Sequence, residues 1–109
     1  MANTFKLKTK ANVGVTTVGI YTAPAATTTV VIGITLANTS GSGVNVGVGI
    51  TRAGTTEDVK LLKNAPIPQG SSLEFMGGNK VVLETTDTLT GDSDTNNSID
   101  AALTIMEIT

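Results

Sequence analysis

The chain has 109 residues and a formal charge of −2, with neither cysteine nor histidine. That composition excludes disulfides, thiolate metal sites and cysteine nucleophiles, and it removes the commonest general base and transition-metal ligand. With 12 glycines, 20 threonines and only Phe5, Tyr21 and Phe75 as aromatics, it points to strands and turns around a core of Val, Ile and Leu.

The length suits one domain with one core, so residues 1–109 read as a single β-sandwich domain. Charge is unevenly placed. Lys6, Lys8, Lys10 and Arg52 precede every acid, and all 9 acids lie in residues 57–109. No apolar run reaches the roughly 18 residues of a membrane span. The start, MANTFKLKTK, is basic but no apolar stretch follows it, so neither a signal peptide nor a membrane partner is expected. Asn38-Thr39-Ser40 and Asn96-Asn97-Ser98 match the glycosylation pattern and read most simply as loops.

From Phe5 to Lys10 the chain alternates. Phe5, Leu7 and Thr9 share one side and Lys6, Lys8 and Lys10 the other. This suits an edge strand, whose lysines discourage unwanted pairing, or an N-terminal arm over residues 1–10 that grips an acidic neighbour. Three lysines without arginine, in an acidic chain, make a poor phosphate footprint, so no nucleic-acid partner is expected. Asn12 to Tyr21 reads as a second strand. Val13 and Val15 share one parity and Val18 and Ile20 the other, which a bulge near Thr16-Thr17 reconciles. Pro24 then breaks the strand.

Val30 to Ile50 organises the chain. Ile32, Ile34 and Leu36 alternate, as do Val44, Val46, Val48 and Ile50, around the turn-forming Asn38-Thr39-Ser40-Gly41-Ser42-Gly43. The pattern predicts one long β-hairpin with a loop of about four to six residues. Its opposite face carries Val31, Gly33, Thr35 and Ala37, then Asn45, Gly47, Gly49 and Thr51. Glycine inside a strand marks a close backbone approach, so Gly33, Gly47 and Gly49 form a candidate interface. The alternative is a flat solvent face or a bend in the sheet.

Further strands are predicted over Glu57–Lys63, with Val59 and Leu61 inward, then over Ser72–Met76, Lys80–Glu84 and Asp87–Thr90, with Leu89 inward. A two-proline loop, Asn64–Gly70, and a polar loop, Gly91–Ser98, interrupt them. Ile99 to Ile108 closes the chain: Ile99, Ala101, Leu103 and Ile105 share one parity, Met106 and Ile108 the other. The total, about eight strands at these spacings, predicts an all-β antiparallel sandwich, jelly-roll-like or immunoglobulin-like.

No catalytic triad, phosphate-binding loop, dinucleotide fingerprint or metal cluster is present, so the chain is read as a non-enzyme without cofactors. Asp92, Asp94 and Asn96 have the spacing that opens a calcium loop, but Asn97 and Leu103 stand where that loop needs glycine and glutamate. A solvated loop is the simpler reading. With no Trp and one Tyr, the chain is poorly equipped to stack sugars.

Tyr21-Thr22-Ala23-Pro24, TTTVVIGITLANTSGSGVNVGVGI, LLKNAPIPQGSSLEF, GGNKVVLETTDTL and the closing apolar strand together resemble small β-sandwich virion structural proteins of tailed bacteriophages, cyanophages included. The likeness runs over residues 13–108 and is one of strands and turns, with no catalytic residue to carry over. It implies a decoration or cement protein, made in the host cytoplasm and placed on the capsid surface, binding the major capsid protein or other virion proteins. A neck, tail or fibre-base component is the alternative within the virion, and a host-surface glycan-binding module the alternative outside that class. The resemblance also implies a homo-oligomer, a trimer by analogy. Phe5, Lys6, Leu7, Lys8 and Lys10 join the three glycines as interface candidates.

Overall fold

The computed structural model describes residues 3–52, 58–75 and 80–109. They form nine strands: β1 (Asn3–Val13), β2 (Val18–Thr22), β3 (Thr28–Asn38), β4 (Val44–Thr51), β5 (Asp58–Ile67), β6 (Ser72–Phe75), β7 (Val81–Leu83), β8 (Thr88–Ser93) and β9 (Ile99–Ile108). Sheet A has the order β1-β9-β3-β6, with β7 also paired to β3, and sheet B the order β2-β8-β4-β5. All pairings are antiparallel. Because β6 and β7 both pair with β3, they act as one interrupted strand. The result is a sandwich of two four-membered layers. Its first two strands lie in different sheets, unlike the immunoglobulin arrangement, and its order is that of a jelly roll.

Alternation places the core. On β9, Ile99, Ala101, Leu103 and Ile105 are buried in turn. Val44, Val46 and Val48 of β4 and Leu89 of β8 meet them from sheet B. Burying each such side chain stabilises the fold by about 1.5–3 kcal/mol before entropy is set against it.

The expected hairpin is not formed. β3 pairs with β9, β6 and β7, whereas β4 pairs with β5 and β8, so Val30 to Ile50 crosses from one sheet to the other. Asn38 explains the crossing. Its buried amide donates to the carbonyls of Ser42 (2.8 Å) and Ile67 (2.9 Å) and accepts from the Ser40 N–H and hydroxyl. Its own N–H donates to Ser71 O, and Thr39 N–H to Ser98 O. These bonds turn the chain away from β3 towards β5 instead of folding it back on itself. Parity also shifts within β3. A bulge between Val31 and Gly33 buries Val31 and leaves Ile32 only partly covered.

Other boundaries move for related reasons. Asn12–Tyr21 is not one strand: Val13 ends β1 in sheet A, Val18 begins β2 in sheet B, and Val15 is exposed at the corner between them. β5 runs on through Pro66, which an edge strand tolerates, and Val59 points out, not in. β8 extends to Ser93, which shortens the polar loop. Glu57 of the predicted fifth strand and Met76 of the sixth lie outside the described residues.

Candidate interaction surface

The register fixes which residues share the outer face of sheet A. Phe5 lies opposite Met106, Met106 opposite Val30, and Val30 opposite Val82. One apolar row therefore crosses four strands. Leu7 and Gly33 flank Thr104 in the next row, and Thr9 and Thr35 flank Ala102 in the one after. Phe5, Leu7 and Val82 are 69%, 67% and 56% exposed, so the first two rows meet solvent in the isolated chain. Asp100 and Glu74 stand towards one end, and Glu84 lies beside Val82 at the other, where Arg52 pairs with it.

The alternation of β1 thus has the opposite sense to an apolar-in strand. Lys6, Lys8 and Lys10 pair with Ile105, Leu103 and Ala101, whose side chains fill the core. At a sheet edge, long lysine stems run along the core margin and lift their ammonium groups to water. Inward-facing charge also protects an edge from further strand pairing.

Lys6 has a specific partner. Its Nζ lies 2.8 Å from Glu107 Oε1. Glu107 continues the buried parity of β9 and is 6% exposed. Its other oxygen accepts a 2.5 Å hydrogen bond from the Tyr21 hydroxyl, which stands 2.8 Å from Thr29 Oγ1. The Lys6 bond, then the Tyr21 bond, hold the Glu107 carboxyl below its ordinary range against the opposing effect of burial. Burial first, and Glu107 second, push the Tyr21 hydroxyl up to about 12. This cluster links β1, β2, β3 and β9 across the sandwich. Sequence reasoning missed it, although Glu107 lies two residues beyond Ile105 on the same parity.

The three glycines do not share a face. Gly33 lies on the outer face of sheet A, and an added Cβ would meet nothing within 4 Å. Gly47 and Gly49 lie in sheet B beneath the chain's own β5. A Cβ on Gly49 would stand 2.8 Å from Val59 O, and one on Gly47 2.6 Å from Asp92 Oδ1 and 3.3 Å from Leu62 O. The close backbone is therefore intramolecular at these two positions. It follows from two register shifts between β4 and β5, beside Asn64 at φ 55°.

Two acids of the second half of the chain, Glu84 and Asp87, are held by Arg52. Arg52 Nη2 lies 2.9 Å from Glu84 Oε1, and Arg52 Nε 3.0 Å from Asp87 Oδ2 without a well-directed hydrogen bond. These carboxylates raise the Arg52 pKa, Asp87 most strongly. Asp87 also caps the Glu84 N–H. In the calcium-like stretch, Asp92 accepts from the Thr17 hydroxyl and Asp94 from the Asn45 N–H. Among the described residues, no three acids converge as metal ligands.

No family model and no curated protein matches the sequence. Solved structures do. A chain of the disulfide-linked pili of Bacillus endospore appendages is 16% identical with a TM-score of 0.57, covering 99% of this chain and 87% of that one. A chain of the acid-stable capsid of Helicobacter pylori bacteriophage KHP30 is 10% identical with a TM-score of 0.57, covering 100% and 89%. A chain of the T13 particle of infectious bursal disease virus is 12% identical with a TM-score of 0.59, covering 96% of this chain but only 30% of that one. At these identities the likeness is one of fold. The jelly-roll arrangement is shared with subunits of viral shells and of a pilus.

Proposed function

We propose that the chain is a bacteriophage virion structural protein that acts by binding other virion proteins, with capsid decoration as its specific role. The carrying observation is the uncharged apolar row Phe5–Met106–Val30–Val82 on the outer face of a jelly roll. A monomer gains nothing from keeping such residues in water, whereas the centre of a protein interface is depleted of charge and enriched in aromatic residues and Met. The likeness of fold to capsid chains and the sequence resemblance to tailed-phage virion proteins support the same reading.

Partners on the shell would be major capsid subunits, bound without catalysis or cofactor. A neck or tail position uses the same surface at lower copy number. The lectin alternative draws on the jelly roll alone, which also serves carbohydrate-binding proteins. A glycan array and a rebinding assay with virions stripped of the protein separate these readings. Saturable binding to stripped shells without glycan hits supports the proposal. Saturable glycan hits without shell binding overturn it.

A further inference from the structure

We infer that the outer face of sheet A is a self-association surface, on which a second copy of this chain packs its own sheet A face to face. This concerns the free protein and is tested without virions; on the shell, a virion partner that takes the same face would have to displace the second copy.

The chemistry of the face selects its occupant. Its two central rows, Phe5–Met106–Val30–Val82 and Leu7–Thr104–Gly33, contain no charged side chain; Glu74 stands in the row beyond them, opposite Thr35, and Arg52 and Glu84 lie at the margin beside Val82. Three of the five strongly exposed large apolar side chains among the described residues stand here. A partner presenting charge would have to bury it unpaired, so the fitting surface is itself flat, apolar and uncharged. The outer face of sheet B does not qualify. It carries Asp92 opposite Gly47, Lys60 over Gly49, and threonines at 51, 88 and 90. The one matching surface among the described residues is the sheet A face, which makes the contact two-fold and self-complementary.

The dimensions suit a small interface. Three strands of ten or eleven residues with the shorter β6 and β7 beside them, at about 3.3 Å per residue and about 4.8 Å between neighbours, make a face of roughly 500 Å². Two such faces bury roughly 1,000 Å² in total, the lower end for a specific interface and short of the ~1,600 Å² of a standard one. The edge of β1 is the weaker candidate, since its inward lysines protect it from adding a strand. Gly33 has open space above it, so the second sheet can approach closely there.

The test is sedimentation equilibrium of the full chain across a concentration series, with three variants. The wild type is expected to reach twice its 11.1 kDa mass, with no weakening at high salt. Phe5→Asp with Val82→Asp should raise the dissociation constant by at least about tenfold for each buried charge. Val15→Asp, at an equally exposed valine off this face, should leave it unchanged. Phe5→Ser with Val82→Thr supplies an uncharged weakening variant should the double aspartate fail to unfold cooperatively. A monomer at every concentration overturns the inference. So does an oligomer of any order that both double variants leave intact, or one that Val15→Asp disrupts equally.

Discussion

The Tyr21 hydroxyl and the Glu107 carboxylate meet at 2.5 Å between the two sheets, one from β2 and the other from β9. The bond places a charged acceptor on the core parity of a strand that is otherwise apolar there. It is tolerable only because Lys6 reaches the second oxygen from the edge of sheet A.

Removing the phenol leaves that acceptor short of a donor. Tyr21→Phe is expected to destabilise the protein by about 1–3 kcal/mol, more than an exposed hydrogen bond would explain. Lys6→Met should also destabilise, because the carboxylate then stays buried with Tyr21 alone. Urea unfolding at neutral pH, fitted with a common slope, gives both values.

The same cluster sets a pH window. Glu107 has a lowered pKa in the folded chain, so its contribution is present above the unfolded carboxylate value and is lost as pH falls through the folded one. Tyr21 has a raised pKa of about 12, so its contribution is present below the unfolded phenol value of 10.0 and is lost as pH rises towards 12. Thermal unfolding of the wild type from acid to alkaline pH should show both flanks. Glu107→Gln should flatten the acid flank, and a wild-type profile already flat there would contradict this assignment.

Three glycines separate by their surroundings. Gly49→Ala drives a Cβ to 2.8 Å from a backbone carbonyl, and moving β5 to relieve it is expected to cost about 1–3 kcal/mol. Gly47→Ala should cost less, since its nearest obstacle is the Asp92 side chain. Gly33→Ala meets nothing, and is expected to be neutral or to stabilise by about 0.4–1 kcal/mol through the unfolded chain. Chemical denaturation of the three variants ranks them.

Asn38 holds the crossover. Asn38→Ala removes an amide that bonds to Ser40, Ser42 and Ile67, leaving buried backbone groups without partners. A loss on the order of 2–3 kcal/mol is expected. Hydrogen exchange should show faster opening at Ser40 and at the neighbouring turns, while β9 amides change only with global stability.

Much of this was legible from residue order. Ile99, Ala101, Leu103 and Ile105 announce a strand with one buried face, and the core of β4 is read from Val44, Val46 and Val48 in the same way. What alternation cannot give is the partner of each strand. Ile34 and Val46 look like two arms of a hairpin, yet Asn38 sends them to opposite sheets. Bulges hide as well: one beside Ile32 reverses the parity of Val31, and those in β5 bring Val59 O over Gly49. On β1 the pattern of Phe5 and Leu7 was clear but its direction was not. At an edge, lysine stems can lie on the core side while their charges remain hydrated.

If the chain is a virion component present in many copies, its stoichiometry in purified particles shows it. Quantitative mass spectrometry against isotope-labelled standards gives its ratio to the major capsid protein. A fixed ratio of the same order as the capsid subunit itself is expected, unchanged by washing at high salt. Absence from purified virions would overturn the virion role, and a ratio of only a few copies per particle would overturn the assignment to capsid decoration.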